Sequence, residues 1–116
     1  MAKACIFRTP IPRDITVKMA QDTFEDMVKF VADVKRRVLC AGGELHSDAE
    51  QLLLEDGSSQ EDLWGGNYYW NDPSEERFEY TSMINLRPGN AAQRIQSEEI
   101  LRRVRDVAAF FFETST

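Results

Sequence analysis

Cysteine and histidine are scarce in this 116-residue chain, which has two cysteines and one histidine. Cys5 and Cys40 are too few to build a disulfide framework or a zinc knuckle. We expect both to be buried thiols in a reducing compartment. A bridge between them would require the predicted strand at Cys5 to meet the predicted helix end at Cys40.

Long apolar runs and excess positive charge are also missing. No apolar run approaches the roughly 20 residues of a membrane span, and the first residues lack the apolar stretch of a secretory signal. The 14 Lys and Arg against 20 Asp and Glu give a formal charge of -6. Because nucleic-acid binding needs cations that neutralise phosphates, this balance disfavours it. We expect a cytoplasmic protein with no membrane or nucleic-acid partner.

The first half of the chain predicts a strand followed by a long helix. The length is typical of one domain, spanning residues 1–116. A short apolar run at Ala4–Arg8 predicts a strand, and the two prolines after it suit a helix entry. From Asp14 to Cys40, apolar residues recur at spacings of three and four, which predicts an amphipathic helix that ends at Gly42-Gly43. An internal capping pair at Thr23 and Asp26 would make Asp14–Gln21 a separate first turn or two.

The second half predicts a short helix, a hairpin and a final helix. Residues 44–46 are expected to be extended, and Ser47–Glu50 fits a capping box that opens a short helix. Leu63–Trp70 and Arg77–Arg87 look like the two strands of an antiparallel hairpin. Ser97 is a suitable cap for the last helix.

This order of elements predicts an α+β fold with a small mixed sheet. The long helix and the carboxyl-terminal helix are expected to pack on one face of the sheet, beside the carboxyl-proximal hairpin. Val31, Val104 and Ile84 would then share one apolar interior.

The single histidine is the first candidate for chemistry. Glu44 and His46 are two residues apart, so on an extended segment their side chains point to the same side. A carboxylate there would raise the basicity of the imidazole and fix its tautomer, as a general base requires. The competing interpretation is structural: His46 satisfies buried backbone groups, and Asp48 and Glu50 serve the helix cap.

A metal site is a weaker interpretation of the same residues. Catalytic metal sites commonly recruit three protein ligands. A third ligand beside Glu44 and His46 would have to come from Asp48, Glu61 or Asp62. We therefore assign no metal ligand.

Polar residues inside the predicted hairpin are the second candidate. Asn67 interrupts an aromatic strand, and Asn85 and Arg87 lie two apart on one face of the partner strand. On an open face they would bind a carboxylate or phosphate, because arginine offers a planar fork of donors. The alternative is an ordinary solvated sheet face.

Aromatic residues are concentrated at Trp64–Trp70 and at Phe110–Phe112. Three consecutive phenylalanines on a helix span about 200° of arc, which is wider than one packing face. At least one of them is therefore exposed in a monomer or covered by another chain, and we expect a homo-oligomer.

Short sequence words spread along the chain carry a resemblance. They are Met27-Val28-Lys29, Gly42-Gly43-Glu44-Leu45-His46, Asp48-Ala49-Glu50, Leu52-Leu53-Leu54, Leu63-Trp64-Gly65, Asn67, Ser82-Met83-Ile84-Asn85 and Arg87-Pro88. Together they resemble a family of small, mainly bacterial proteins catalogued as a domain of unknown function. The resemblance covers nearly the whole chain and implies no activity, ligand or cofactor.

Two functional hypotheses follow from these residues. The first is a small cytoplasmic binding or interaction protein that self-associates. The alternative is an enzyme or a small-anion-binding domain, in which His46 acts as acid and base, Glu44 orients it, and Asn67, Asn85 and Arg87 hold an anionic ligand. Neither hypothesis names a cofactor, and whether the protein is an enzyme stays open.

Overall fold

The computed structural model describes residues 3–114, which fold into three α-helices and five β-strands. The helices are α1 (Arg13–Gln21), α2 (His46–Glu55) and α3 (Glu98–Glu113). The strands are β1 (Cys5–Phe7), β2 (Met27–Asp33), β3 (Val38–Ala41), β4 (Leu63–Tyr69) and β5 (Phe78–Glu79). Within this described part of the chain, no helix combines the length and hydropathy needed to cross a bilayer.

The five strands form one sheet in the order β1-β3-β2-β4-β5. The predicted α+β class is confirmed, but the expected mixed sheet is wrong because each described pair of strands is antiparallel. β2 lies at the centre and pairs with β4 along its full length, from Met27 opposite Tyr69 to Asp33 opposite Leu63. A short turn joins β2 to β3, and such hairpins impose antiparallel pairing.

The long helix predicted from Asp14 to Cys40 does not form. The segment contains α1, β2 and β3, joined by turns in which Glu25 and Arg37 have φ of 73° and 56°. The spacing of apolar residues suggested a helix because β2 is buried on both faces of the sheet. Phe30 is buried on one face and Val31 on the other. A strand covered on both faces loses the alternation that marks a half-exposed strand, and neither turn contains glycine.

Helices cover both faces of the sheet, so the protein has two apolar cores rather than one. Among the largest side chains buried under α1 and α3 are Phe30, Tyr68, Phe111 and Phe112. The residues buried under α2 are Val31, Val38, Cys40, Ala49, Leu53 and Leu63. Val31 and Ile84 therefore belong to one core and Val104 to the other, which overturns the expectation of a shared interior.

The strand predicted at Arg77–Arg87 is much shorter in the structure. After β5 the chain turns away from β4, and the carbonyl oxygen of Tyr80 accepts a hydrogen bond from the N–H of Ile95 at 3.0 Å. The Ser82 hydroxyl then accepts from the N–H of Ile84 and caps a short 3₁₀ turn. A serine side chain that bonds the local backbone competes with strand pairing, and at Ser82 the chain forms the turn instead of the strand.

The helix starts were predicted with mixed success. α2 begins at His46, one residue before the expected cap, and its capping position is Leu45 with no side-chain hydrogen bond. The predicted capping box at 47–50 is therefore wrong. Ser97 does cap α3, because its hydroxyl accepts from the N–H of Ile100 at 3.3 Å.

The two cysteines lie on neighbouring strands but cannot form a bridge. Cys5 is opposite Ala41 and Cys40 is opposite Ile6, so the two side chains point to opposite faces of the sheet. Both are free thiols, and Cys5 is exposed, contrary to expectation. Burial raises the pKa of Cys40 to about 12, so its thiol stays protonated.

Candidate functional site

The face of the sheet under α2 changes from apolar to polar where this helix begins. His46 stands in the first turn of α2. Lys29 on β2 lies opposite Asn67 on β4, and Asn67 lies opposite Glu79 on β5. Because directly opposed residues of antiparallel strands project to the same face, these three side chains form a row. We call this row together with His46 the polar cluster.

The imidazole of His46 is held by the backbone of β4. Its Nε2 lies 2.8 Å from the carbonyl oxygen of Gly66. A carbonyl oxygen can only accept, so Nε2 carries the proton and donates, and the neutral ring keeps a lone pair on Nδ1. The competing structural interpretation is thus correct for half of this side chain, because one ring nitrogen satisfies a backbone group.

The electrostatic surroundings keep this ring neutral at pH 7. Burial lowers the pKa of His46 below its ordinary value of 6.5, and the positive charge of Lys29 lowers it further. The hydrogen bond to Gly66 and the neighbouring side chain of Asn67 act in the opposite direction without outweighing burial. The side chain of Asn67 is therefore a neighbour of the ring.

The amide of Asn67 is oriented by Glu79. Its Nδ2 donates to Glu79 Oε1 at 2.8 Å. Since a carboxylate only accepts, the nitrogen must face Glu79 and Oδ1 must face away from it. Asn67 is 8% exposed, and its Oδ1 is buried without a hydrogen-bond partner among the described residues. Leaving such an acceptor unpaired costs about 1–3 kcal/mol.

Two acceptors of the polar cluster therefore lack a donor among the described residues. Nε2 of His46 is committed to Gly66, which leaves the Nδ1 lone pair as the ring's unused polar atom. Oδ1 of Asn67 is the second unused acceptor. Protonation of His46, a water molecule or a ligand bearing N–H or O–H groups would each supply the missing donor.

Glu44 takes no part in this arrangement. It is exposed on the turn before α2, and the hydrogen bond of the His46 ring goes to Gly66 instead. The expected carboxylate–imidazole pair depended on an extended chain at 44–46. The helical start at His46 removes that geometry.

Asn85 hydrogen-bonds the backbone of β4 beyond the point where β5 ends. Its side chain is fully buried, its Oδ1 accepts from the N–H of Gly65 at 2.8 Å, and its Nδ2 donates to the carbonyl oxygens of Gly65 and Gln93 at 3.0 Å each. The side-chain amide thus makes the two hydrogen bonds to Gly65 that the backbone of a longer β5 would make. Its hydrogen bonding is accounted for without a ligand.

Arg87 also hydrogen-bonds the backbone of β4, at Leu63. Its Nη2 donates to the carbonyl oxygens of Leu63 at 2.7 Å and Ile84 at 3.1 Å, and its Nη1 donates to that of Gln60 at 3.3 Å. The guanidinium lies 3.8 Å from the centroid of the Trp64 ring. The fork expected to hold an anion is therefore engaged by backbone and stacked on an aromatic ring.

Sequence reasoning missed Lys29 and Glu79. Lys29 lies within the segment predicted to be the long helix, and Glu79 lies within the strand predicted at Arg77–Arg87. The register of β2, β4 and β5 brings both beside Asn67. Tyr69 also joins Glu79, since its hydroxyl donates to Oε1 at 3.4 Å. The available signal was Asn67 itself, a polar residue inside an aromatic strand.

A cavity of about 420 Å³ adjoins the Glu79 end of the polar cluster. Its lining residues are Tyr69, Asp72, Glu76, Phe78, Glu79 and Arg94. Three carboxylates against one guanidinium make this cavity acidic. Within residues 3–114, no three His, Cys, Asp or Glu side chains are grouped to hold a metal ion.

Comparison with known proteins places the chain in a family. A family model described as a protein of unknown function, DUF5674, matches residues 5–111. The chain belongs to DUF5674. The resemblance to an uncharacterised family is thereby confirmed, and no curated protein or solved structure matches the chain.

The contrast between Asn85 and Asn67 yields a stability prediction for this DUF5674 chain. Asn85→Ala leaves the N–H and carbonyl of Gly65 unpaired inside the protein, so we expect the free energy of unfolding to fall by about 3 kcal/mol or more. Asn67→Ala removes an acceptor that already lacks a donor, together with one hydrogen bond to the exposed Glu79, so we expect a smaller loss of about 1 kcal/mol. Urea denaturation of both variants measures the difference, and equal losses would contradict these roles.

The ionisation of His46 provides a second prediction. NMR titration of its ring should give a midpoint below 6.5, as burial requires. Lys29→Met should raise the midpoint by removing a positive charge, and Asn67→Ala should lower it by removing an acceptor. Shifts of the same sign in both variants would contradict the described geometry.

The same titration has a consequence for stability. Because the folded-state pKa lies below 6.5, the unfolded chain binds the proton more readily than the folded chain. Stability should therefore fall as the pH drops through 6.5 towards the folded-state value, and His46→Gln should lack that contribution.

Proposed function

We propose that this protein is a small binding protein that takes a polar ligand at the polar cluster, with a donor group of the ligand seated between His46 and Asn67. The observation that supports this proposal is the buried Oδ1 of Asn67, which faces away from Glu79 and has no donor among the described residues. The Asn67 side chain neighbours the ring of His46. Native proteins keep few such atoms, and each one requires an explanation such as a bound water or ligand.

The charges around the site favour a ligand rich in hydrogen-bond donors over an anion. Lys29 and Glu79 oppose each other in sign, and His46 is neutral. The adjoining cavity adds the carboxylates of Asp72 and Glu76. An amine, amide or hydroxyl group suits these surroundings better than the small anion expected at Arg87, whose fork is engaged by backbone carbonyls.

Binding is better supported than catalysis. A general base needs a pKa near the working pH, and burial together with Lys29 makes the ring of His46 a weaker base than usual. The carboxylate that was expected to orient and strengthen it, Glu44, lies exposed on the preceding turn. The proposed role is therefore non-catalytic.

A thermal-shift comparison tests the proposed ligand class. Ethanolamine, acetamide and glycerol supply donors, and acetate is the anionic probe. We expect at least one of the donors to raise the Tm of the wild-type chain by about 4 °C at saturating concentration, because a ligand of the folded state stabilises it. Acetate should have no such effect at this site.

Two variants make that comparison specific. Asn67→Ala should lose the response, whereas Gln51→Ala should keep it, since Gln51 lies on the exposed side of α2 and its side chain donates to the nearby Glu55. A response that Asn67→Ala retains in full, or the absence of any response to the three donors, would contradict the proposal.

Self-association is a second proposed property, together with a cytoplasmic location. Its support is Phe110, which is 44% exposed on α3 while the neighbouring Phe111 and Phe112 are buried. A large exposed ring beside a cavity of about 240 Å³ lined by Arg37, Val107 and Phe111 suits a contact between two copies. The free thiols of both cysteines suit a reducing compartment.

Light scattering coupled to size exclusion tests the association. We expect the wild-type chain to show a mass above that of the 13.3 kDa monomer at high concentration. Phe110→Ser should restore the monomer, because it removes the apolar contact. Phe24→Ser, at a ring 36% exposed outside α3, is the matched control and should leave the mass unchanged. A monomeric wild-type chain would refute the association.

A further inference from the structure

A second cavity lies on the opposite face of the sheet from the polar cluster. It has a volume of about 520 Å³, and the residues that matter for its chemistry are Arg13, Tyr68, Trp70, Asp72, Arg77 and Glu113. Tyr68 neighbours Asn67 in β4, so its side chain projects to the other face. Of these side chains, the function proposed above uses only Asp72.

Arg13 is held in a fixed orientation in the wall of this cavity. Its Nη2 donates to the carbonyl oxygen of Trp70 at 2.6 Å, and its Nη1 lies 3.4 Å from the Tyr68 hydroxyl. The guanidinium also lies 5.6 Å from the centroid of the Trp70 ring. Of the five N–H donors of an arginine, these contacts use two and leave three.

The second arginine of this cavity, Arg77, is paired with a carboxylate. Arg77 holds Glu113 with two hydrogen bonds, from Nε at 2.6 Å and from Nη2 at 3.1 Å, and the Tyr68 hydroxyl donates to the same carboxylate at 3.1 Å. These contacts hold the pKa of Glu113 below its ordinary value. The charges of Arg77 and Glu113 therefore cancel.

The charge of Arg13 is not cancelled in this way. Among residues 3–114, no carboxylate lies within ion-pair distance of its guanidinium. Asp72 lines the same cavity, but its Oδ1 accepts from the N–H of Ser74 at 2.8 Å and is turned towards that loop. A pre-oriented guanidinium with free donors and no counter-charge is a binding element for an oxyanion.

We propose that this cavity binds a small oxyanion, a carboxylate or a phosphate, on the free donors of Arg13 beside Tyr68 and Trp70. The ligand would pair with Arg13 as Glu113 pairs with Arg77. This site is distinct from the polar cluster, because it lies on the other face of the sheet. Of the residues lining this cavity, Asp72 also lines the cavity beside Glu79.

The test compares anions in matched arginine variants. Inorganic phosphate and acetate are each added at the ionic strength of a chloride reference, and Tm is measured for the wild-type chain, Arg13→Gln and Arg102→Gln. Arg102 is an exposed residue of α3, so its variant removes the same charge elsewhere. We expect at least one of the two anions to raise Tm in the wild-type chain and in Arg102→Gln, and by less than half as much in Arg13→Gln.

The comparison also separates specific binding from general salt effects. Phosphate stabilises many proteins by exclusion from their surface, and that effect is the same in all three chains. An equal rise in Arg13→Gln, or no rise above chloride in the wild-type chain, would overturn the proposal. Phosphate and acetate responses together show which of the two anions the site takes.

The variant Glu113→Gln distinguishes an anion-binding role of Arg13 from a purely structural one. Glu113→Gln releases Arg77 from its carboxylate and leaves two unpaired guanidinium groups facing the cavity. NMR titration with phosphate should then show tighter binding than in the wild-type chain. Unchanged or weaker binding would contradict the assignment of the anion to this cavity.

Discussion

The structure depends on satisfying the backbone of β4, the strand that is buried on both faces beside the central β2. Every buried N–H and carbonyl needs a partner, and β5 pairs with only Asn67 and Tyr68. Side chains supply what is missing: Asn85 bonds both groups of Gly65, Arg87 bonds the carbonyl of Leu63, and His46 bonds that of Gly66. Three polar residues that look like a ligand site in the sequence are thus held by one strand.

These residues differ in how much capacity they retain after serving the backbone. Asn85 uses both its oxygen and its nitrogen, and the fork of Arg87 is shared among several carbonyls. His46 uses one ring nitrogen and keeps the other, and the oxygen of the neighbouring Asn67 has no partner among the described residues. Function is therefore better sought at His46 and Asn67, where hydrogen-bonding capacity remains, than at the two side chains that are fully engaged.

β4 also connects the two proposed sites. Asn67 and Tyr68 are consecutive, and the alternation of a strand sends the first towards α2 and the second towards α1 and α3. The polar cluster gathers unused acceptors, whereas the cavity at Arg13 holds unused donors and an uncancelled positive charge. The same short strand thus presents opposite chemistry on its two faces, and a ligand that suits one site does not suit the other.

The sequence by itself determined the α+β class, the last helix with its Ser97 cap, the strand at β4 and the family resemblance, because these rest on local patterns and turn chemistry. Asn67 and His46 were also found, as polar residues out of place among apolar ones. Only the tertiary structure decided that β2 and β3 replace the later part of the helix predicted over 14–40, since burial on both faces erases the alternation of a strand. It also decided the roles of Lys29, Glu79, Asn85 and Arg87, because register and the unpaired edge of β4 are set by contacts between residues distant in the chain.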